Sequence, residues 1–430
     1  MRGTAERAAM QIFARIALPL VLLLTLAGAA GAQAVVDAST LDGKVLFGYQ
    51  GWFRTPGDGA NVGWSHWSRG APSPETMTVD LYPDLSEFDP KDLAPIPGES
   101  IGAKPAYLFS SFNRNIVMRH FEWMKRYGLD GVLVQRFLSD IPGSRAQGDG
   151  VLKNIMAAAE KTGRTFAIEY DISGARAETM ADILQKDWNY LVNDLHVTAS
   201  PRYLRHKGKP VVSVWGMGLN DRSHPPADTA AALAIIRWFQ TTAGACYIGG
   251  TPAFWRSRTR DANPDPAWAE VYQAMDVVQP WTVGRYGDLA GVERWKTEQL
   301  APDLAATAAH GQLYMPVIFP GFSWHNLNPR SPENQIPRLK GQFLWNQAVS
   351  ARAAGARMLK IAMFDEVNEG TAMFKAAPRR SDAPDQGNWL TLDADGGALP
   401  SDWYLRLAGE ITKAFHAKRP LPAAMPAAGR

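Results

Sequence analysis

The sequence has a single cysteine, Cys246, among 430 residues, so the fold cannot depend on an internal disulfide. His66, His120, His196 and His310 are isolated, without the spacing of a metal site, and we expect neither a catalytic metal nor a cofactor. Charge of one sign is not in excess either, because the formal net charge is only +3 at pH 7. No nucleic acid partner is therefore implied.

The N-terminus carries an apolar stretch, Ile16 to Leu26, that is short for a membrane span. Three arginines precede the stretch and small residues follow it up to Ala34, which is typical of a secretory signal peptide cleaved after Ala32 or Ala34. We predict that residues 1–34 are removed and that the protein is exported, to a bacterial periplasm or the extracellular medium, without a remaining membrane span. The alternative is an uncleaved anchor.

Segments with helical periodicity that end in glycine recur along the chain, and a short apolar run follows each. The glycines are Gly128, Gly163, Gly244, Gly311 and Gly355, and the runs after them are Gly131 to Phe137, Thr165 to Tyr170, Ala245 to Gly249, Leu313 to Phe319 and Met358 to Phe364. Three further strand candidates are Val45 to Tyr49, Pro210 to Trp215 and Asp276 to Trp281.

Eight strands that alternate with helices predict a (β/α)8 TIM barrel with a long first βα loop. The barrel would occupy residues 35–418, and residues 419–430 would form a flexible C-terminal tail. An open doubly wound sheet is the alternative, but the sequence has no G-x-G-x-x-G motif and no phosphate loop to support it. We expect a monomer.

The residues at the carboxyl ends of barrel strands are the candidates for an active site. Aromatic rings that could stack on sugars, together with amide, guanidinium and carboxylate groups, follow the predicted strands, which favours a carbohydrate substrate. Core packing of the rings, salt bridges of the arginines and a hydrogen-bonded loop histidine are the competing interpretations. The candidate substrate contacts at strand ends are Tyr49, Trp52, Arg136, Glu169, Tyr170, Asp171, Trp215, Trp255, Arg256, Gln279, Trp281, Trp324 and His325.

The loop after the first strand runs from Gln50 to about Lys104 and is rich in glycine and proline. Loops of this length are usually functional, and we predict that it forms one wall of a cleft, with Trp64, His66 and Trp67 as substrate contacts. Packing of these rings against the barrel is equally consistent with the pattern.

The last apolar run stops at three carboxylates, Asp365, Glu366 and Glu369. Residues three apart point to opposite faces of a strand, so a turn at Val367 and Asn368 is needed to direct both glutamates into one cleft. Neighbouring carboxylates raise each other's pKa and so separate an acid from a base, which is what cleavage of a glycosidic bond requires. A surface acidic turn is the alternative.

The segment FDEVNEGT, residues 364–371, resembles the Asn-Glu-Trp-His-Glu-Gly-Thr signature of glycoside hydrolase family 99, the endo-α-mannosidases. Most of the chain from residue 47 is similar to bacterial secreted proteins described as family 71/99-like. The stretches that carry this wider likeness are FGYQGWF at 47–53, GGTP at 249–252 and PWTVGR at 280–285.

The resemblance implies a retaining α-glycosidase in which Glu366 deprotonates the sugar 2-hydroxyl and assists an anhydro-sugar intermediate. Glu369 would be the general acid and later the base that activates water. Asp365, in place of the motif asparagine, would orient Glu366 or contact substrate. Val367 and Asn368 replace the motif's Trp-His.

Two further alternatives stay open. One is an ordinary two-carboxylate mechanism, in which Glu169 or Asp171 acts with Glu366 or Glu369. The other is a sugar-binding barrel that is catalytically inactive. Mannose, glucose, arabinose and xylose are all compatible with the residues, as are endo and exo cleavage.

Overall fold

The computed structural model describes residues 35–221, 223–224, 228–397 and 399–427, so the predicted signal peptide lies outside the described residues. The described chain forms strands β1 to β12, which are Val45–Tyr49, Leu93–Ile101, Lys104–Phe109, Gly131–Phe137, Thr165–Asp171, Arg205–His206, Lys209–Trp215, Cys246–Thr251, Val277–Pro280, Leu313–Tyr314, Val317–Ile318 and Leu359–Ile361. Its α-helices, α1 to α9, are Arg114–Tyr127, Ile141–Thr162, Ala177–Asn193, Thr229–Arg237, Trp268–Gln273, Leu289–Trp295, Ala301–Ala309, Gln342–Ala353 and Trp403–His416.

The main sheet is parallel and closes on itself in the order β1, β4, β5, β7, β8, β9, β10, with β11 and β12 completing the ring to β1. Strands β10 and β11 are two halves of the predicted run Leu313 to Phe319, interrupted at Met315 and Pro316. Pro316 cannot donate a backbone hydrogen bond, which accounts for an interruption at this point. The predicted (β/α)8 barrel is confirmed, with all eight strands where the sequence indicates them.

Glycine ends the helices as the sequence predicts. Gly128 (φ 73°) and Gly163 (φ 72°) close α1 and α2 in the left-handed conformation, and the N–H of each donates to a carbonyl of the last helical turn. A residue without Cβ adopts this conformation without steric penalty, so each glycine stops its helix and turns the chain toward the next strand.

The long first loop is more regular than expected. Strands β2 and β3 form an antiparallel hairpin whose register shifts between Pro95 and Ser100, where proline and glycine interrupt β2. The prediction of an irregular loop up to Lys104 was therefore wrong for Leu93–Ile101. The proline and glycine content that suggested a loop is accommodated by that shift in register.

The predicted C-terminal tail contacts the barrel. Leu421 is buried, and the Trp345 indole N–H donates to the Pro422 carbonyl at 2.9 Å. Upstream of it, the His416 imidazole on α9 lies 2.8 Å from Asp130, whose other oxygen accepts the Val45 N–H at the start of β1. Across the described ranges, no helix has the length and apolar character needed to cross a membrane.

Inside the barrel, beneath its carboxyl-terminal mouth, lies an ion pair. Lys360 on β12 donates to Glu169 on β5, and both side chains are fully buried. Gln279 on β9 also accepts from Lys360, at 3.3 Å. A buried charge needs such a partner, so these three side chains depend on one another.

Candidate active site

The acidic segment that follows β12 turns sharply at the mouth. The Gly370 N–H donates to the Val367 carbonyl at 3.3 Å, which closes the expected turn. Gly370 has a φ of +62°, and a Cβ there would lie 3.0 Å from the Ser323 backbone. The Ser323 N–H in turn donates to the Glu369 carbonyl at 2.9 Å. A glycine is therefore required at position 370, because a side chain there would displace the loop of Ser323, which holds the turn.

Asp365 fixes this segment to the end of β1. Its two carboxylate oxygens accept the N–H groups of Gln50, at 2.7 Å, and Gly51, at 2.8 Å. Burial raises the pKa of Asp365 to about 6, and the two N–H donors oppose that rise. Fully buried and with both oxygens engaged, Asp365 holds the segment in place and does not reach the cleft.

Glu366 and Glu369 form a pair of carboxyls in which the charge of one acts on the other. The pKa of Glu366 is raised well above its usual range, first by burial and second by the charge of Glu369, while a hydrogen bond from the Gln50 side chain opposes the rise. Burial raises the pKa of Glu369 to about 7. The pair therefore retains a proton near neutral pH, and it can supply one acid and one base at the same time.

A third carboxylate, Asp171 at the end of β5, acts on the pair from across the mouth and adds to the rise in the pKa of Glu366. Burial raises the pKa of Asp171 itself to about 6, against hydrogen bonds from Ser173. Ser173 Oγ lies 3.1 Å from His224 Nε2. Asp171 is thus the one carboxylate of the β5 end that belongs to the cluster around Glu366.

Arg338 supports the acidic turn from below. Its guanidinium donates to the carbonyls of Gly370, at 2.8 Å, and Ala372, at 2.7 Å, and it lies 4.5 Å from the centre of the Tyr404 ring. Burial lowers the pKa of Arg338. A buried guanidinium that binds two carbonyls fixes the backbone directly after Glu369.

Aromatic rings line two parts of the mouth. Trp215 and Trp281 meet edge to face with centroids 5.4 Å apart, and the Trp215 indole N–H is buried without a partner in the described protein. On the first loop, Trp52 stacks on His66 with centroids 4.2 Å apart and planes 6° from parallel. Of these four predicted residues, Trp215 and Trp281 stand at the carboxyl ends of β7 and β9, and Trp52 and His66 lie on the loop after β1.

Three other predicted contacts are turned away from the mouth. Tyr49 and Tyr170 are so because alternate residues of a strand face opposite sides of the sheet, and Trp67 because its loop packs it on Phe53 and Phe109. Tyr49 bonds to His120, Tyr170 to Asp187, and Trp67 to the Phe109 carbonyl. All three rings are fully buried. They were expected at the cleft; the structure places them in the packing between the barrel and its surrounding layer.

Several charged and polar candidates have structural partners. Arg136 pairs with Asp187 and Asp149, whereas Arg256 and Trp255 both donate to Asp303. Glu169 and Gln279 are fully buried and bound to Lys360. Salt bridges and buried hydrogen bonds, the competing interpretation, therefore account for these five residues.

The loop after β11 is fastened to the first loop. Asp80 accepts the N–H of His325 at 2.8 Å, and the His325 imidazole lies 2.7 Å from the Ser331 carbonyl. Trp324 also bonds to Ser331, at 2.7 Å, and Trp64 is half-buried against the core. These contacts join two loops above the barrel.

Three residues that sequence reasoning missed matter most to the site: Gln50, Arg338 and Lys360. Lys360 lies within the otherwise apolar run Met358 to Phe364. A lysine between leucine and isoleucine in a barrel strand indicates a charge inside the barrel. Gln50 directly follows a strand and could have been found by its position. Arg338 lies in a loop without a distinguishing pattern.

Comparison with solved structures finds similar folds. The chain is similar to the family-99 endo-alpha-mannosidase from Bacteroides thetaiotaomicron, with a TM-score of 0.64 and 18% identity, over 88% of this chain and 99% of that one. A structure described as a glycoside hydrolase-like protein gives a TM-score of 0.51 and 15% identity, over 80% of this chain and 98% of the other.

Searches by sequence give no such relative: no protein-family model matches the chain, and no curated protein sequence matches it. At identities of 18% and 15%, the structural likeness shows the fold alone. The fold is that of the family-99 enzymes, as the likeness of residues 364–371 implied.

Proposed function

We propose that the protein is a glycoside hydrolase that cleaves α-linked glycosidic bonds in oligo- or polysaccharides. The observation that carries this proposal is the pair Glu366 and Glu369, which stand on one tight turn after β12, close enough for the charge of Glu369 to raise the pKa of Glu366. The pair lies at the carboxyl-terminal mouth of the barrel, where active sites of this fold are found. The similar fold of a family-99 endo-alpha-mannosidase supports the same class of reaction.

In the proposed mechanism, Glu366 takes the proton of the sugar 2-hydroxyl, and that oxygen attacks the anomeric carbon. Glu369 protonates the departing glycosidic oxygen and then removes a proton from the water that attacks the anomeric carbon. The bond between that carbon and the 2-oxygen breaks, and Glu366 returns its proton to the 2-oxygen, so the anomeric configuration is retained. The Gln50 amide, which donates to Glu366, favours its ionised form. Burial and the charge of Glu369 favour the protonated form, so substrate binding must shift the proton toward Glu369.

The test is incubation of the protein with a panel of α-linked manno- and gluco-oligosaccharides and α-linked polysaccharides, with NMR of the first anomer formed. We expect release of reducing ends with retained configuration. An inverted product would contradict the 2-hydroxyl mechanism and favour the ordinary two-carboxylate alternative. Binding to panel members without release of any reducing end would instead establish a sugar-binding barrel.

We also propose that the protein is exported, on the strength of the signal-peptide pattern that ends at Ala34. Expression in a bacterial host followed by cell fractionation and N-terminal sequencing checks this. The expected product is found outside the cytoplasm and begins near Val35. A product that keeps Met1 and stays in the membrane fraction would establish the uncleaved anchor.

A further inference from the structure

Ser173, His224 and Asp221 form a hydrogen-bonded series just beyond the carboxyl end of β5. Ser173 Oγ lies 3.1 Å from His224 Nε2, and His224 Nδ1 lies 2.7 Å from Asp221 Oδ1. A nucleophile and its base stand about 2.6–3.2 Å apart, and a third group orients the base. The three side chains therefore have the connectivity of a serine nucleophile, a general base and an orienting carboxylate.

Asp221 determines which nitrogen of the imidazole carries a hydrogen. A carboxylate this close to Nδ1 accepts the hydrogen on that nitrogen, so Nε2 is left to accept from the Ser173 hydroxyl. Oδ1 of Asp221 also accepts the Ser223 N–H, at 2.9 Å, and the Ser223 hydroxyl, at 2.8 Å. These bonds hold the carboxylate against the ring.

The two loops that carry the series are joined directly beside it. The Gly174 N–H donates to the Ser223 carbonyl at 2.6 Å, and these two residues are the chain neighbours of Ser173 and His224. The Ser173 N–H donates to Asp171 at 2.8 Å, which fixes the backbone of the serine at the strand end. The distance between hydroxyl and imidazole is therefore set by contacts on both sides.

The imidazole of His224 has a shaped place in the packing. Its ring meets the Trp215 ring edge to face, with centroids 5.2 Å apart. A Cβ on Gly216 would lie 2.7 Å from His224 Cδ2, so a glycine at position 216 makes room for the ring. His224 is buried, whereas Ser173 is partly exposed. The base is thus shielded from water, and the nucleophile keeps some access to it.

Backbone donors for a developing oxyanion stand on the same loop. Helix α3 begins at Ala177, four residues after Ser173, and no described side chain caps its N-terminus. The first N–H groups of a helix have no partner within the helix, and they stabilise negative charge nearby. An acyl group on Ser173 would develop such a charge on its carbonyl oxygen.

We propose that Ser173, His224 and Asp221 form a second catalytic centre, which hydrolyses esters through an acyl-serine intermediate. This activity goes beyond glycoside cleavage and uses neither Glu366 nor Glu369. An ester on a sugar hydroxyl is the substrate class that the position favours, because Ser173 follows Asp171 at the barrel mouth. That choice of substrate class rests on the proposed function.

In the first step, Ser173 Oγ bonds to the acyl carbon and its proton passes to His224 Nε2. The bond from the acyl carbon to the alcohol oxygen then breaks, and the alcohol leaves with that proton. In the second step, water bonds to the acyl carbon and gives a proton to Nε2. The bond from the acyl carbon to Oγ breaks, Oγ takes the proton back, and the acid is released.

The test combines labelling of the mature protein by a fluorophosphonate probe, located by mass spectrometry, with rates of hydrolysis of p-nitrophenyl acetate and of an acetylated α-linked disaccharide. Ser173→Ala removes the nucleophile, and His224→Gln replaces the base by an amide. Ser139→Ala is the matched control, because Ser139 is an exposed serine beside Gly174 whose hydroxyl contacts Asp140 rather than a histidine.

We expect the probe to label Ser173 in wild type and in Ser139→Ala, and both esters to be hydrolysed at least about 100-fold more slowly by Ser173→Ala and His224→Gln. Labelling of serines other than Ser173, or wild-type rates in Ser173→Ala, would overturn the proposal. Hydrolysis of p-nitrophenyl acetate but not of the acetylated disaccharide would overturn the assignment of a sugar ester. Ester hydrolysis by a wild-type protein that cleaves no glycoside would contradict the proposed function and support the second centre.

Discussion

Gly51 donates its backbone N–H to the Asp365 carboxylate at 2.8 Å, which ties the acidic segment to the end of the first barrel strand. The second oxygen of Asp365 accepts from Gln50 at 2.7 Å. Asparagine has one acceptor and would turn its amide N–H toward the other donor. We expect Asp365→Asn to lower the free energy of unfolding in urea by about 1–3 kcal/mol at pH 5, where the raised pKa keeps the carboxyl largely uncharged and the loss is that of the hydrogen bond alone.

Asp385→Asn is the control for this change. Asp385 also accepts two hydrogen bonds, from the Ser100 hydroxyl at 2.9 Å and the Gly102 N–H at 3.1 Å, but it is exposed. Water replaces a lost partner at an exposed site, so the free energy of unfolding should change much less than in Asp365→Asn. Equal losses in the two variants would show that burial of Asp365 is not what makes its bonds matter.

The raised pKa of Glu369 predicts a pH-dependent effect of Glu369→Gln on stability. Folding raises the pKa of this carboxyl from an unfolded value of about 4.3 to about 7, so the folded state favours the protonated form. The stabilisation is present below the unfolded pKa and is lost as pH rises through about 7. Removing the charge should therefore stabilise the fold by about 1–3 kcal/mol at pH 8 and have almost no effect at pH 4.

Urea unfolding of wild type and Glu369→Gln at both pH values measures this difference. Glu298→Gln serves as the control, because Glu298 is exposed and should show a small, pH-independent change. A stabilisation that is the same at pH 4 and pH 8 would mean that deprotonation of Glu369 is not its cause.

The buried ion pair inside the barrel predicts strong coupling between its partners. Lys360→Met leaves Glu169 buried without its cation, and we expect a loss of about 3–5 kcal/mol in the free energy of unfolding. The double change Lys360→Met with Glu169→Gln should lose less than the sum of the two single changes. Additive losses would contradict the pairing, and Lys413→Met in the exposed Lys413–Glu410 pair should lose under about 1 kcal/mol.

Arg338 is a positioning residue for the turn that carries Glu369. Arg338 donates to the carbonyls of Gly370 and Ala372 through Nη2 alone, at the far end of the guanidinium, and a lysine ammonium ends short of that position, so Arg338→Lys should loosen that backbone. We expect kcat to fall by roughly 10-fold to 100-fold with KM little changed, because the acid would be misplaced. Hydrogen exchange should also accelerate in the peptide that contains residues 366–372.

Arg352→Lys is the matched control for Arg338. Arg352 also donates to two carbonyls, of Ala356 and Arg419, and lies over the Phe415 ring, but it stands near the end of α8, before β12 begins, whereas the acidic turn follows β12. Its substitution should leave kcat and the exchange of residues 366–372 unchanged. Equal effects from both variants would point to a general loss of stability.

The eight barrel strands could be predicted from sequence because each apolar run is set off by a glycine or by a break in periodicity. The direction in which each strand-end side chain points could not be predicted, because neighbouring residues of a strand face opposite sides of the sheet. The alternation that turns Glu169 into the barrel turns Tyr170 outward to Asp187, although both lie at the end of the same predicted run and the sequence does not distinguish them.

The carboxyl pair could be predicted from the sequence, but the buried Arg338 and Lys360 could not. Glu366 and Glu369 stand three residues apart in a motif, whereas Arg338 and Lys360 reach the site only through contacts that the closed barrel creates. Likewise, one cavity is lined both by Gln50 on the first loop and by Ile168 on β5, more than one hundred residues further along the chain. Single-sequence patterns report neighbours along the chain, and these relationships arise from tertiary packing.

Sugar release by Glu369→Gln tests the central claim most directly. On the α-linked oligosaccharides that wild type cleaves, the variant should lose turnover by at least about 1,000-fold while its affinity stays unchanged, since the amide cannot donate or accept the catalytic proton. Glu333→Gln, an exposed glutamate 4.0 Å from His325, should keep the wild-type rate. Release of sugar by Glu369→Gln at the wild-type rate would contradict the account.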